Sequence, residues 1–213
     1  MSKIGFVIDS IDQINPAKDT TLSMVTAAFE RGLDVFLLDA ESMSFCVDIN
    51  NAKNKTKNKS QNIFSKSYKI LNIKQSARFI LDYNLSLKDV VDIQEISQIN
   101  YLDFDYIIMR KDPPVDANYI YITYFLEYLS NNGVKVFNNP RALRDVNEKC
   151  FILNFPELIS PSLVSNNISN IIDFLDYHKK MVLKPLNEMG GAGIIALDIN
   201  KDGKQESIKK ISK

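Results

Sequence analysis

The chain has 213 residues, of which 45% are hydrophobic and 24% are charged, so it is long enough for one large domain or two small ones. Lysine plus arginine number 26, as do aspartate plus glutamate, and this balance gives no overall field that would favour nucleic acid or an anionic membrane. Cys46 and Cys150 show no disulfide or metal spacing, so we expect two small buried residues in a cytoplasmic protein.

The start of the chain predicts a parallel βαβ unit. Lys3–Ile8 is an apolar run typical of a central strand, and it is too short for a signal peptide or a membrane span. Leu22–Arg31 has helical spacing and is followed by glycine, and Val35–Leu38 is a second short strand. Such a unit implies a parallel, right-handed crossover.

Polar residues follow the first strand at the edge where parallel sheets bind ligands. Asp9, Ser10 and the loop from Asp12 to Thr20 are therefore candidates to line a crevice. Capping of the following helix is the alternative, and we favour it for Asp19 and Thr20.

The next region is dominated by a basic lysine and asparagine run at residues 52–59. We interpret this run as a solvated loop, with nucleic-acid binding a minor alternative, because it has no aromatic residue to stack on bases. Phe45–Ile49 and Ser67–Ile73 are predicted strands on either side of it. Residues 75–98 have a mixed pattern that favours no element.

A further strand, Tyr106–Met109, ends at Arg110-Lys111-Asp112 and two prolines. Two cations at the end of a strand suit a carboxylate or phosphate ligand, and an exposed ion-pair cluster would fit equally well. A helix over Ala117–Ser130 and a strand over Val134–Phe137 follow.

The character of the sequence changes after residue 140. Helical spacing runs on to Phe155, Ser162–Val164 is predicted as a short strand, and Ile168–His178 is predicted as an amphipathic helix. His178 is the only histidine, and we expect it to meet the helix dipole rather than to act in catalysis.

A glycine-rich turn between two apolar runs is the most informative stretch. Met181–Leu183 and Ile194–Leu197 are predicted strands, and between them lie Lys184-Pro185 and the glycines Gly190, Gly191 and Gly193. The pattern is neither a Walker motif nor a dinucleotide fingerprint. It favours a phosphate-covering loop between antiparallel strands, although this stretch alone is equally compatible with a flexible hairpin.

Three segments taken together resemble the prokaryotic glutathione synthetases of the ATP-grasp superfamily. They are Met109–Asp116, Asn138–Lys149 and Leu183–Gly193, and Lys18-Asp19-Thr20 fits the same pattern. The likeness extends over essentially the whole chain. It implies an α/β fold, with an N-terminal Rossmann-like, parallel-sheet substrate domain at residues 1–139 and the first part of an ATP-grasp domain at 140–213.

The resemblance also implies ATP-dependent ligation of γ-glutamylcysteine to glycine through an acyl phosphate, with magnesium or alternatively manganese. It implies that the ATP-binding residues are Lys149, Lys184, Glu188, Met189, Gly190, Gly191 and Gly193. It places substrate near Lys18, Asp19, Arg110 and Asp112. The implied protein is a homo-oligomer without nucleic-acid or membrane partners, and it uses no side-chain nucleophile.

The sequence departs from the family pattern in three places: an expanded loop around residues 52–59, the pair Asn187-Glu188, and the end at Lys213. The expected metal ligands would lie further along the family pattern. We therefore expect a fragment, a truncated frame or one piece of a split gene, which is inactive alone and frayed over Asn200–Lys213. The alternatives are another ATP-grasp carboxylate–amine ligase and a non-catalytic remnant.

Overall fold

The computed structural model describes residues 1–47, 61–74, 82, 84–96, 99–188 and 190–211. It divides into two compact units, Met1–Asp112 with Ala117–Arg144, and Pro113–Asp116 with Asp145–Lys213. The basic run at 52–59 lies outside the described residues. Within the described ranges, no helix has the length and apolar character needed to cross a membrane.

The first unit is a mixed α/β structure. Its strands are β1 (Lys3–Ile8), β2 (Asp34–Asp39), β3 (Ser44–Val47), β4 (Gln61–Phe64), β5 (Ser67–Ile73), β6 (Val91–Ile96), β7 (Tyr106–Met109) and β8 (Lys135–Phe137). Its helices are α1 (Thr20–Glu30), α2 (Leu87–Val90), α3 (Ala117–Asn131) and α4 (Pro140–Asp145). Six strands form one sheet in the order β6-β5-β2-β1-β7-β8, and β3 pairs with β4 in a separate hairpin.

Strand β1 is the centre of the sheet. It pairs in parallel with β2 on one side and with β7 on the other, and β8 continues the parallel part beyond β7. The pairings of β2 with β5 and of β5 with β6 are antiparallel. The predicted parallel α/β arrangement is therefore confirmed, with an antiparallel extension at one edge.

Burial explains why this segment forms the central strand. All residues of β1 after Lys3 are buried. Gly5 lies so close to the neighbouring strand that a Cβ there would sit 2.5 Å from Leu38 Cδ1. Successive side chains of a strand alternate between the two faces, so this continuous burial shows that β1 is covered on both faces, as the apolar run predicted.

Helix α1 begins two residues before the predicted start. The Asp19 side chain accepts a hydrogen bond from the backbone N–H of Thr21 at 2.7 Å, so the predicted cap is confirmed. Leu22, Val25 and Ala28 lie on the buried face of the helix, within the core cluster that includes β1.

The β3–β4 hairpin contacts helix α3 through aromatic rings. Phe45 lies 6.1 Å from Phe125 in a stacked pair and 5.0 Å from Tyr128 in an edge pair. Cys46 is exposed, so the prediction that it is buried was wrong. Successive strand residues face opposite sides, and Phe45 occupies the side that packs.

A buried hydroxyl cluster lies at the start of strand β5. The Tyr101 side chain is fully buried, and its hydroxyl contacts those of Ser65 and Ser67, the latter at 3.4 Å. Burial is the main cause that raises the pKa of Tyr101 to about 12, against the opposing effect of the two serine hydrogen bonds.

The second unit contains a two-stranded sheet and three helices. The strands are β9 (Lys180–Leu183) and β10 (Ile195–Asp198), and the helices are α5 (Ile168–His178), α6 (Ile199–Asp202) and α7 (Lys204–Ile211). The Asn167 side chain caps α5 by accepting from the backbone N–H of Ser169 at 2.9 Å. His178 lies in the last turn of α5, as predicted, with its ring 4.3 Å from that of Phe174.

Four predictions about the second unit were wrong. The helix predicted to continue to Phe155 stops at Asp145, and two short 3-10 turns, Phe151–Asn154 and Pro156–Leu158, follow. Ser162–Val164 pairs with no described strand. Cys150 is only partly buried. The stretch expected to fray is helical as far as Ile211, because Ser207 is buried and Lys210 pairs with Asp202 at 2.9 Å.

The raised pKa of Tyr101 predicts a specific loss of stability at alkaline pH. Above about pH 10 the unfolded chain ionises this tyrosine while the folded chain does not, so stability falls as pH rises toward 12. The contribution of this one group to the loss is about 2 to 3 kcal/mol. Tyr101→Phe removes that part of the pH dependence, and it costs about 1 kcal/mol at neutral pH because two serines lose a partner.

Urea denaturation of wild type and Tyr101→Phe from pH 8 to 11.5 measures this difference. Tyr121→Phe is the matched control, because Tyr121 is 57% exposed. If the stability of wild type and of Tyr101→Phe fell equally with pH above pH 10, the raised pKa of Tyr101 would be contradicted.

Candidate functional site

The glycine-rich turn connects two antiparallel strands, as predicted. Leu183 at the end of β9 pairs with Ile195 at the start of β10. Lys184 is exposed directly after β9. The turn thus lies at one end of the hairpin with a lysine at its entrance.

The backbone of this turn requires glycine at its last position. Gly193 has a φ of +67°, and a Cβ there would lie 2.7 Å from Pro185 Cγ. Gly190 and Gly191 also have positive φ, but a Cβ at either position would meet nothing within 4 Å. Backbone shape therefore restricts Gly190 and Gly191, whereas both shape and space restrict Gly193. Met189 lies outside the described residues.

Lys149 contacts the segment that leads into the turn. Its Nζ donates to the backbone carbonyl of Glu188 at 2.6 Å and to Glu148 Oε1 at 2.8 Å. The Lys149 side chain is 19% exposed. The structure thus brings together Lys149 and Glu188, which the family resemblance placed at one site. Glu188 contributes its backbone carbonyl oxygen to this contact.

The two predicted lysines share an acidic neighbour. The pKa of the Glu148 carboxyl lies below its ordinary value, first because Lys149 donates a hydrogen bond to it, then because of the positive charge of Lys149 and, more weakly, of Lys184. Two cations therefore lie near one exposed carboxylate beside a glycine turn. This arrangement suits a multiply charged anion such as a polyphosphate.

Within the described ranges, no three or more histidine, cysteine, aspartate or glutamate residues are grouped so that they could hold a metal ion. We therefore assign no magnesium ligand among the described residues.

A second polar cluster lies in the first unit, where β1 and β7 end. Lys111 Nζ forms an ion pair with Asp9, and the two side chains are 12% and 21% exposed. Asp9 Oδ2 also accepts from the backbone N–H of Asp112 at 2.9 Å. The sequence left two alternatives for the cations after β7, a ligand site or an exposed ion-pair cluster. Lys111 forms an ion pair, but this pair is largely buried.

Arg110 joins the end of β7 to the start of α1. Its Nε donates to Thr21 Oγ1 at 3.1 Å, and its Nη2 donates to Thr20 Oγ1 at 2.9 Å. Asp19 caps the same helix, and Lys18 is exposed in the turn before it. Arg110 is thereby held beside the polar loop that the sequence placed at a ligand crevice.

The carboxylate of Asp112 lies in an unfavourable environment for a negative charge. Asp112 is exposed as a residue, but partial burial of its carboxyl, followed by the charges of Asp9 and Asp19, raises its pKa, while Arg110 and Lys111 oppose the shift. Burial, followed by Asp112 and Asp9, likewise raises the pKa of Tyr119. A cation placed beside Asp112 would relieve this repulsion.

Sequence reasoning did not single out the contributions of Asn147, Glu148 and Tyr119. A signal existed for Asn147, since an asparagine two residues before a lysine, just after a helix end, is typical of a side-chain-stabilised turn. The Thr20 and Thr21 contacts with Arg110 had no local signal, because they join residues about 90 positions apart.

Comparisons with known proteins cover nearly all of the chain. The family model for the N-terminal domain of prokaryotic glutathione synthetase matches residues 2–144, and the one for the ATP-grasp domain of the same enzyme matches residues 148–212. Glutathione synthetase of Nitrosomonas europaea is 32% identical over 92% of this chain and 54% of its own length. That of Vibrio cholerae is 33% identical over 91% of this chain and 54% of its own length.

The chain therefore spans about half the length of the curated relatives it matches. Among solved structures, D-cycloserine synthetase DcsG covers 99% of this chain with a TM-score of 0.51 and 9% identity, and the match includes 56% of that protein. At this identity the likeness concerns the fold alone.

Substitution of Gly193 tests the backbone requirement of the turn. Gly193→Ala should destabilise the second unit by about 2 kcal/mol or more, because it combines a strained backbone with a steric clash. Gly190→Ala should lower the stability by about 1 kcal/mol, because only the positive φ is unfavourable there and no atom clashes with the new Cβ. Urea denaturation of both variants measures the difference, and Pro185→Ala added to Gly193→Ala should recover part of the loss. Equal losses at the two glycines would contradict the close contact.

Removing the charge of Asp112 should stabilise the protein. Because its folded-state pKa is raised, the ionised carboxylate weakens folding at neutral pH, and this penalty disappears as pH falls and the group is protonated. Asp112→Asn should therefore raise the melting temperature at pH 7, with a smaller gain at acidic pH.

Asp89→Asn is the control of opposite sign. The pKa of Asp89 is lowered, first by the hydrogen bond from the Ser86 hydroxyl and then by that from the Ser86 backbone N–H. Its contribution to stability is present above the ordinary pKa and lost in acid, so Asp89→Asn should lower the melting temperature at pH 7. A lower melting temperature for Asp112→Asn would overturn the account of that site.

Proposed function

Because this chain belongs to the prokaryotic glutathione synthetase family, we propose that it binds ATP as part of an enzyme that joins γ-glutamylcysteine to glycine. The ATP phosphates would contact Lys149, Lys184 and the turn formed by Glu188, Met189, Gly190, Gly191 and Gly193. Residues 1–139 would form the substrate domain, and residues 140–213 would form the first part of the ATP-grasp domain.

The observation that carries the proposal is the pairing of two lysines with a glycine turn. Lys149 contacts the carbonyl of Glu188 at 2.6 Å, and Lys184 lies near enough to Glu148 to lower the pKa of that carboxyl. Lysine binds phosphate as a point charge, and the backbone N–H groups of a glycine turn can approach phosphate oxygens closely. Lys149 and Glu188 are 39 positions apart, and all of these residues lie within the second unit.

This arrangement suits ligation through an acyl phosphate. Phosphoryl transfer depends mainly on positioning and on neutralisation of charge, so it needs no side-chain nucleophile from the protein. In this chain the lysines would neutralise phosphate charge, and the turn would exclude water from the reactive acyl phosphate. We propose magnesium or manganese as the metal of the whole protein and assign no step to it, because the described residues contain no group of three or more histidine, cysteine, aspartate or glutamate side chains that could hold it.

The cluster around Asp112 suits the charged head of an amino-acid substrate. An α-ammonium group would relieve the repulsion that raises the pKa of Asp112, and the guanidinium of Arg110 is suited to a carboxylate. We therefore place the γ-glutamyl end of the dipeptide near Arg110 and Asp112, with Lys18 and Asp19 beside it.

The proposed partners of the whole protein are ATP, γ-glutamylcysteine and glycine, in a cytoplasmic homo-oligomer. Membership of the family supports this proposal. The formal net charge of zero also favours small-molecule substrates over nucleic acid or a membrane.

Alanine substitution of either lysine should weaken ATP binding. Lys149→Ala and Lys184→Ala should each raise the dissociation constant for ATP at least about tenfold, because a charge-assisted contact is lost. The effect on AMP should be smaller, since AMP lacks the outer phosphates. Isothermal titration calorimetry measures both.

Lys180→Ala provides the matched control. Lys180 lies at the opposite end of the same strand, is 69% exposed and pairs with Asp198 at 3.0 Å. Its loss should leave the ATP affinity unchanged. Wild-type affinity in both Lys149→Ala and Lys184→Ala would overturn the proposal, as would failure of the wild-type chain to bind ATP.

A further inference from the structure

The turn that carries Lys149 is organised by the side chain of Asn147. Asn147 Oδ1 accepts hydrogen bonds from the backbone N–H of Lys149 at 2.9 Å and of Cys150 at 3.1 Å. Its backbone carbonyl accepts from the N–H of Phe151 at 2.7 Å. The direction in which Lys149 leaves the backbone therefore depends on Asn147.

The same side chain also holds the segment before the glycine turn. Asn147 Nδ2 donates to the carbonyl of Leu186 at 3.0 Å, and two residues later Lys149 Nζ donates to the carbonyl of Glu188 at 2.6 Å. Each of these hydrogen bonds spans 39 residues. The two segments thus lie side by side in one register, joined at alternate residues.

The atoms of the Asn147 carboxamide have separate roles. The oxygen stabilises the local turn, and the nitrogen bridges to Leu186. Serine can replace the oxygen as a turn acceptor, but it is too short to reproduce the bridge. Substitution by serine therefore separates the two roles without adding a charge near the lysines.

We infer that Asn147 is a positioning residue for the ATP site, acting through Lys149. It aligns Lys149 with the Leu186–Glu188 segment, so that the lysine charge and the glycine turn face the same phosphates. This inference rests on the proposed ATP-binding function. Besides the two lysines and the glycine turn, the ATP site thereby includes a residue that does not itself contact ATP.

The test uses Asn147→Ser in the 213-residue chain, with Asn167→Ser as the matched control. Asn167 also accepts a hydrogen bond through its side chain, from the backbone N–H of Ser169 at 2.9 Å, and caps the start of helix α5. Asn147→Ser should weaken ATP binding about three- to tenfold, as expected for one lost neutral hydrogen bond, whereas Asn167→Ser should leave it unchanged. In a Lys149→Ala background the effect of Asn147→Ser should disappear, because the asparagine acts through that lysine.

A spectroscopic measurement without nucleotide accompanies the titration. In carbon-13 NMR spectra, Asn147→Ser should shift the carbonyl resonance of Leu186, which loses its donor, and that of Glu188, whose lysine partner moves. Asn167→Ser should shift neither. A shift confined to Leu186 would mean that Lys149 keeps its contact with Glu188 when the bridge is lost.

The outcomes separate the inference from the proposed function. If the wild-type chain binds ATP and the Asn147→Ser variant binds it equally well, the positioning role is overturned and the proposed function stands. The same holds if Asn147→Ser weakens ATP binding as much in the Lys149→Ala background as in wild type. An unshifted Glu188 carbonyl also overturns it alone. If the wild-type chain does not bind ATP, the proposed function fails, and the positioning role for ATP fails with it.

Discussion

The parallel pairing of β1 with β2 and β7 is the constraint on which the first unit depends. A strand with neighbours on both edges and cover on both faces must be apolar throughout, and β1 is buried after its first residue. Because parallel strands end at the same edge, this pairing also brings Asp9 beside Lys111 and Asp112. The apolar strand and the polar cluster are consequences of one topology.

The second unit builds its candidate site by a different means. Its two strands are antiparallel and short, and it contributes backbone shape and a few charges in place of a strand-end crevice. Gly193 must approach Pro185 closely, while Lys149 reaches the carbonyl of Glu188 from a separate turn. Such a site depends on small details of backbone geometry, and the Asn147 side chain, which bonds to both of these segments, helps to set that geometry.

Local patterns in the sequence predicted most of the elements. Lys3–Ile8, Ser67–Ile73 and Tyr106–Met109 form strands with the predicted bounds, because the pattern of apolar residues is a local property. The Asp19 cap was also predictable, since it involves only the next two residues. The antiparallel joining of β9 and β10 followed from the glycine turn between them.

The remaining features depend on contacts between distant parts of the chain. The bridge from Asn147 to Leu186 spans 39 residues, and the pairing of Lys111 with Asp9 spans 102. Local periodicity carries no information about such partners. The strand predicted at Ser162–Val164 shows the converse error, because a sequence with the right local pattern forms a strand only where a partner strand is available. The assignment of site residues to ATP and to substrate rests on the family resemblance.

The position of β1 in the sheet has a consequence for synthesis of the protein. The neighbour of β1 on one side, β2, is made almost at once, but β7 on the other side begins about 100 residues later, as the 102-residue separation of Lys3 and Asp105 indicates. At about 5 to 20 residues per second, translation leaves this edge of an apolar strand unpaired for roughly 5 to 20 seconds. During that time the nascent chain exposes an unpaired strand edge, to which a strand of another chain can pair.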